Sequence, residues 1–374
     1  SIEYDFDYLE ALNIVFEPNT YKIGNLTGNI QWTEINKNKG NKLNFSFVHI
    51  TDLHIGIGDS DYGTSGYNDT MPIGDVGSNE KYLRAIVNWT NSNKDIYNLS
   101  FVIVTGDITD SAEKSEFLKA KEILDTLEIP YIPLLGNHDV WPMTKDTEAE
   151  ASIGDFYFNE VFSPVFYNLS NKFQKWDNGT KNKALFNGEA KNLNGSTGHN
   201  SYFQNFAFEY NGYYFICLDF VSRDFTNSSF GKGVLPQAKL YDSDKVRGTF
   251  SWLKEKLKNN TDKGKDSILL FSHHPASKDA AHHSLSELGI NNIFTRVITS
   301  ALFTFSPIEY AILTYELNKY KEDIGGWFAG HFHKSSSYNI KPTIPISTIC
   351  PGIVTASTFD GGNAHIRIVD VYGK

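Results

Sequence analysis

The sequence predicts an α/β fold built around a parallel or mixed sheet, and three observations support it. The run Val102-Ile103-Val104-Thr105 is apolar and β-branched without alternation, the pattern of a strand buried on both faces. A helical stripe follows at Phe117, Ala120, Ile123, Leu124 and Leu127, and then a second strand at Ile132–Leu135, which together make a βαβ unit with short loops. The first of these strands stops on Gly106-Asp107, and an open α/β sheet places its ligands beyond the carboxyl ends of its strands.

Four other runs stop in the same way. Phe45–Thr51 leads into Asp52-Leu53-His54, and Ile132–Leu135 into Gly136-Asn137-His138-Asp139. Ile268–Phe271 leads into Ser272-His273-His274, and Gly325–Ala329 into Gly330-His331-Phe332-His333. Side chains alternate along an extended chain, so Asp-x-His and His-x-His each present two ligands on one face. Oxygen and imidazole donors without thiolate suit divalent ions such as Zn, Mn or Fe. The set is too large for one ion and sufficient for two.

Taken in order, residues 1–44 read as an N-terminal appendage to a domain spanning 45–374. Residues 55–78, rich in Gly, Asp and Ser, leave directly from the first ligand pair and are expected to overhang the site. Glu80–Trp89 is helical by pattern, and Asp110 with Glu113 reads as the cap and box of the next helix. Residues 141–200 show no long regular pattern beyond a short helix at Ile153–Val161, and read as a lid-like insertion. Strands resume at Ser201–Tyr210 and Tyr213–Phe220 across a two-residue Asn211-Gly212 turn. Trp252–Leu257 reads as a helix, and so does Ser306–Lys321, with Ser306 as N-cap, Pro307 at the first position and Glu309 as box partner. Thr348–Thr355 and His365–Val371 read as edge strands.

Hydrophobic residues at 40% and aromatics at 14% supply a sizeable core and exclude general disorder. A net charge of −10 disfavours tight non-specific nucleic-acid binding and adhesion to anionic lipid. No stretch of about 18 residues is apolar and uncharged, so no spanning helix is expected. Ten Asn-x-Ser/Thr sequons begin at Asn25, Asn44, Asn68, Asn88, Asn98, Asn168, Asn178, Asn194, Asn227 and Asn259. They point to a glycosylated, extracellular or cell-surface chain, with Asn44 and Asn98 expected to be shielded by the strands they abut. Cys217 and Cys350 make no disulfide framework, and Cys217 inside an apolar strand reads as a buried thiol.

The five strand ends stand in the order D-x-H, GD, GNH(D/E), H and GHxH, and over about residues 45–371 they resemble the calcineurin-like metallophosphoesterase superfamily. The resemblance implies a four-layer αββα sandwich of two mixed sheets with a dinuclear site at the carboxyl ends of the strands. It implies one metal held by Asp52, His54, Asp107 and His333, and a second held by Asp107, Asn137, His273 and His331. Asn137 then ligates through an amide oxygen without adding charge. His273 is preferred to His274 because the family's ligand is the first His after the strand. The implied activity is hydrolysis of phosphodiester or phosphomonoester bonds by in-line attack of a metal-bridging hydroxide. His138 would steady the transition state or protonate the leaving oxygen, and Asp139 would orient it.

Purple acid phosphatases carry a metal-binding Tyr where this chain has Asp110, so their ferric site is not expected. Gly106-Asp107-Ile108-Thr109-Asp110 with Ile129-Pro130 looks more like the branch of cyclic-nucleotide phosphodiesterase-like and secreted phosphodiesterases. Sphingomyelinase-like relatives make phospholipid head groups an alternative substrate. The reading from another class is a non-catalytic surface or scaffold module that retains the fold. His199, His282, His283, Tyr67, Trp141 and Tyr202 are expected to serve packing before substrate contact.

Overall fold

A computed structural model of the chain describes residues 20–373 except 24–25, 38–40, 58–78, 141–153, 179–202, 224, 229–230, 235, 241, 244–245, 278–302 and 343–346. The first sheet contains β1 (Thr20–Ile23), β2 (Leu26–Ile35), β3 (Leu43–Ile50), β4 (Leu99–Thr105) and β5 (Tyr131–Leu134). The second begins with β6 (Gln174–Asn178), β7 (Phe206–Tyr210) and β8 (Tyr213–Leu218). Two small hairpins, β9 (Phe225–Ser228) with β10 (Gly231–Val234) and β11 (Asp242–Ser243) with β12 (Val246–Arg247), stand apart from both sheets. The second sheet continues with β13 (Ile268–Ser272), β14 (Ile324–Ala329), β15 (Ser336–Ile340) and β16 (Cys350–Val354), and β17 (Ala364–Tyr372) returns to the first.

The strand orders are β1-β2-β17-β3-β4-β5 and β15-β16-β14-β13-β8-β7-β6. Strands β3, β4 and β5 are mutually parallel, as are β8, β13, β14 and β16. Both sheets are mixed, because β17 runs antiparallel to β3 and β7 runs antiparallel to β8. Helices α1 (Glu80–Asn93) and α2 (Lys114–Leu124) bury Leu83, Ile86, Val87, Phe117 and Ile123 in the core cluster of the first sheet. Helices α4 (Thr249–Lys258) and α5 (Pro307–Asn318) bury Trp252, Leu253, Leu313 and Leu317 beside Leu270 and Trp327 of the second. The architecture is the expected mixed α/β sandwich.

Aromatic side chains fill the space between the sheets. Phe208, Phe215, Phe271 and Phe328 stack side by side across the second sheet, with centroids 4.8, 5.7 and 5.1 Å apart. Phe47 of β3 meets three of these rings edge-on, at 6.0, 5.9 and 5.9 Å, and stacks on Phe101 of β4 at 5.3 Å. Edge-to-face and offset contacts of this kind add to simple area burial.

Several elements differ from expectation. Helix α2 is capped by Glu113 in a reciprocal box with Glu116, not by Asp110, which is used elsewhere. Within the stretch expected as an insertion, α3 (Gly154–Lys172) is a 19-residue helix with Pro164 inside it, and β6 is an edge strand of the second sheet. The interior proline and the aromatics scattered around α3 obscure its period in the sequence. The rest of 141–200 lies outside the described residues, as do Tyr67, Trp141, His199, Tyr202, His282 and His283. Of residues 1–44, β1 and β2 extend the first sheet beyond β17.

Strands β16 and β17 are interior strands, not edges: β16 lies between β15 and β14, and β17 between β2 and β3. Their neighbours come from β15 and from the N-terminal region, which local pattern cannot reveal. Asn98 is exposed at the turn before β4 and Asn44 is partly exposed, so neither strand shields them fully. Both cysteines are free and buried, and burial raises both thiols. The Asn211-Gly212 turn has positive φ at both residues, 46° and 85°, as such a hairpin requires.

Above the aromatic layer sits a buried polar chain. His49 on β3 has Thr105 Oγ1 2.8 Å from Nε2 and Thr355 Oγ1 2.8 Å from Nδ1. Arg367 donates from Nε to Thr355 Oγ1 at 2.9 Å, so the Thr355 hydroxyl joins the guanidinium to His49. Burial lowers Arg367 to about 9, and burial together with the Arg367 charge drives His49 down to about 3. Folding thus favours neutral His49: its contribution is complete above pH 6.5 and is lost as pH falls from there toward 3. Wild type is expected to lose about 1.4 kcal/mol per pH unit across that window relative to His49→Gln, which keeps a donor and an acceptor but does not titrate. Denaturant titrations of both proteins at pH 7, 6, 5 and 4 measure the difference, and parallel curves would contradict it.

Candidate metal centre

The carboxyl ends of β3, β4 and β5 from one sheet and of β13 and β14 from the other deliver the same side chains that the sequence singled out. Asp52, His54, Asp107, Asn137 and His273 are almost fully buried. His138 and His333 remain open to solvent, with 24% and 42% of their side-chain surface exposed. With the partly exposed His331, they are the members of the set that a solute can touch first.

Among the described residues three groups of donors converge; one is His54, Asp110 and His138, and the other two meet at Asp107. Asp52, His54, Asp107 and His333 bring one ligand atom each within 4.8 Å of one another, and so do Asp107, His273 and His331. Asp107 belongs to both. Its Oδ2 lies 3.6 Å from His54 Nε2 and 3.2 Å from His273 Nε2, while its Oδ1 accepts from the His138 backbone N–H at 2.8 Å. Asn137 Oδ1 joins the second group at 3.0 Å from His273 Nε2.

Hydrogen bonds on the far side of the rings decide which nitrogens face inward. His54 Nδ1 is 2.8 Å from Asp110 Oδ1, so Nδ1 carries the proton and Nε2 presents its lone pair to the centre. His273 Nδ1 is 2.8 Å from the Thr105 carbonyl, with the same result. Inside the site, ring nitrogens stand close together: His54 Nε2 and His333 Nε2 are 3.1 Å apart, and His273 Nε2 and His331 Nδ1 are 3.1 Å apart. Asp52 Oδ1 is buried without a well-formed hydrogen bond, and His333 Nε2 lies 3.3 Å from it. A buried carboxylate oxygen among inward-facing imidazole nitrogens and an amide oxygen suits a divalent cation.

The electrostatics agree. Burial alone would neutralise Asp52 and Asp107, but His333 and His273 around the first, and His273, His138 and His54 around the second, hold both carboxyls below the usual range. Burial lowers His54, with His138 adding to it, and burial with the His273 charge takes His331 down to about 3. Burial opposes the charging of His273, yet Asp107 pushes it up to about 9. The centre is a nest of negative charge that attracts a cation.

The backbone carries the cost of this convergence. Asp52, His54, Asp107, His331 and His333 all have positive φ, at 53°, 44°, 48°, 74° and 58°. Non-glycine residues held there cost on the order of 1 kcal/mol or more each, and such strain gathers at functional sites. At Gly106, φ is +87°, and a Cβ would lie 2.6 Å from the Gly136 nitrogen and 2.8 Å from His273 Nδ1.

The expected residues thus come together, with two corrections. Asp139 does not orient His138. Its carboxylate accepts from the backbone N–H groups of Ile108, Thr109 and Gly136 at 3.1, 2.8 and 2.9 Å and from Thr109 Oγ1 at 2.9 Å, pinning two strand-end loops together. The other correction is Asp110. Its side chain orients His54, and its carbonyl lies 2.6 Å from His138 Nδ1, so one residue holds both rings. Its signal in the sequence was an acid three residues beyond the strand-end Asp107, which was read as a helix cap. His274 turns away, donating from Nε2 to the Pro236 carbonyl at 3.2 Å.

A family model of the calcineurin-like phosphoesterases matches residues 45–335. Comparison with curated proteins gives no match. Among solved structures, the chain is similar to a purple acid phosphatase, PPD1, from yellow lupin (Lupinus luteus) seeds, with 13% identity and a TM-score of 0.42 over 90% of this chain and 45% of that one. It is similar to PhoD with 10% identity and a TM-score of 0.40 over 90% of this chain and 60% of that one. It is similar to GAP50, the anchor in the inner membrane complex of Plasmodium, with 11% identity and a TM-score of 0.36 over 84% of this chain and 71% of that one. The chain therefore spans less than two thirds of the length of the first two structures.

Gly106→Ala is expected to destabilise the protein by clearly more than Gly212→Ala. Both glycines have φ near +86°, at +87° and +85°, but a Cβ at Gly212 meets nothing within 4 Å. The hairpin variant should cost about 1 kcal/mol for its backbone alone, and the strand-end variant that plus the clash. Denaturant midpoints of the two variants decide the matter, and equal midpoints would mean that the strand ends are not tightly packed.

Proposed function

Because the chain belongs to the calcineurin-like phosphoesterase family, we propose that it hydrolyses phosphoester bonds with the help of two divalent cations. Asp52, His54, Asp107 and His333 would hold one, and Asp107, Asn137, His273 and His331 the other. The observation that carries this reading is the sharing of Asp107: its Oδ2 is approached by an imidazole from each sheet. When bound, such a pair of ions clamps the phosphoryl oxygens and lowers the pKa of a water, which supplies the nucleophile at neutral pH.

The remaining work falls to the chain's own side chains. Asp110 and the Thr105 carbonyl keep His54 and His273 in the tautomer that points a lone pair inward. Asn137 contributes an oxygen without charge, which limits repulsion toward an anionic substrate. His138 stands at the open side with Nδ1 fixed on the Asp110 carbonyl, and among the described residues its Nε2 bonds to nothing. In its protonated form His138 passes a proton from Nε2 to the leaving oxygen, so that an alcohol and not an alkoxide departs. Asp139 acts on the loops and not on the proton.

An extracytoplasmic setting is part of the same proposal. The sequon asparagines Asn88, Asn98, Asn168 and Asn259 are exposed, which supports their modification. Among the described residues, no helix is long and apolar enough to cross a membrane.

Protein stripped by chelation should show no turnover of a chromogenic phosphoester, and Mn or Zn should restore it. Asp107→Asn is expected to abolish both metal uptake and activity. His138→Gln should retain two ions per chain and lose about 10²–10⁴ in kcat. Two bound ions without turnover of any ester would leave a phosphate-binding or scaffold module. Peptide mass spectrometry of protein from its native source should find N-glycan at the four exposed sequons, and unmodified asparagine at all four would place the chain elsewhere.

A further inference from the structure

The open side of the centre is walled by an aromatic ring that the reaction does not use. Phe359 lies on the loop between β16 and β17. Its ring stands edge-on to His54 at 5.8 Å and 87°, and to His333 at 6.0 Å and 71°. It is partly exposed, and Tyr82 of α1 backs it at 6.4 Å. Its loop is tied to the site, because the Ser357 N–H donates to the His333 carbonyl at 3.2 Å and the Asp360 N–H donates to the Ser357 carbonyl at 3.3 Å. The ring, packed against the core of the first sheet, thus lies beside two of the candidate ligands. His138 also packs on His54, with ring centroids at 4.6 Å.

Charge points the same way. Among the described residues, no lysine or arginine bonds to any candidate ligand or to His138. Among the described residues, a phosphomonoester dianion would have only the bound cations and the histidines to meet its second negative charge, with no lysine or arginine bonded to the candidate ligands. A diester brings one charge, and in place of the other it brings a substituent that needs a surface to lie on.

Building on the phosphoesterase reading, we propose that the substrate is a phosphodiester, and that Phe359 seats the flat apolar or aromatic substituent that stays on phosphorus. The leaving oxygen departs on the His138 side. The retained group lies across the His54–His333 pair, against the Phe359 ring, where stacking and exclusion of water favour it.

Three substrates with one leaving group, p-nitrophenolate, test this on metal-loaded protein. They retain a bare oxygen (p-nitrophenyl phosphate), a methyl ester (methyl p-nitrophenyl phosphate) or an aryl ester (bis-p-nitrophenyl phosphate). Wild type should rank them aryl, methyl, bare oxygen in kcat/KM. Phe359→Ala should reduce the aryl-over-methyl preference at least about tenfold, chiefly through KM, and Phe359→Tyr should restore it. Metal content of both variants, measured by elemental analysis, should match wild type, which separates a substrate wall from a prop for the ligands. A preference for the monoester, or an aryl-over-methyl ratio unmoved by Phe359→Ala, overturns the proposal. Calorimetry with diphenyl phosphate separates its failure from that of the phosphoesterase reading. If nothing is turned over but wild type binds this diester at least about tenfold more tightly than Phe359→Ala does, the wall stands and hydrolysis falls. If nothing is turned over and binding is equal, both fall.

Discussion

A buried carboxylate shared between two sheets is the constraint on which this structure depends. Asp107 ends a strand of the first sheet, and His273 reaches it from the second. Neither residue is exposed, so the charge on Asp107 must be met inside the protein, and an unpaired buried charge costs several kcal/mol. The imidazoles meet part of it and a cation would meet the rest. The ends of β3, β4 and β14 are bent to bring donors to that point, with Asp52, His54, Asp107, His331 and His333 at positive φ.

Such strain persists only where the surroundings are stiff. The row Phe208, Phe215, Phe271 and Phe328, crossed by Phe47, sets the spacing of the sheets below the site. Above it, the chain from Arg367 through Thr355 and His49 to Thr105 bonds β17 to β4. Thr105 then turns its carbonyl to His273. Apolar packing, polar bonding and ligation therefore follow one another along the same strands. A shift in the lower layers would reach the ligands through residues already in contact with them, since close-packed interiors transmit displacement.

Sequence and structure agree best where local rules are strong. The strands ending in Asp52, Asp107, Asn137, His273 and His331 were legible because a buried parallel strand is a short apolar run and a ligand at its end is a break in that run. Helix α5 was legible at its start because Ser306, Pro307 and Glu309 each solve the problem of unpaired N–H groups, and Ser306 accepts from the Glu309 N–H as expected. Agreement fails where a residue has two uses. Asp110 has the chemistry of a helix cap, and only its proximity to His54 shows that Glu113 takes that place. Asp139 follows His138 in the chain, but a neighbour in sequence is not a neighbour in space, and its oxygens were already taken by Ile108, Thr109 and Gly136.

By itself the sequence determined the α/β class, the run of strand ends and the identity of nearly every candidate ligand. These are local matters of hydrophobic pattern and donor chemistry. Tertiary structure decided the rest. It placed β17 in the middle of a sheet, gave Asp110 to His54, turned His274 away and set Phe359 against the ligands. Each of those outcomes depends on the distance between residues far apart in the chain, and only packing between the two sheets sets that distance.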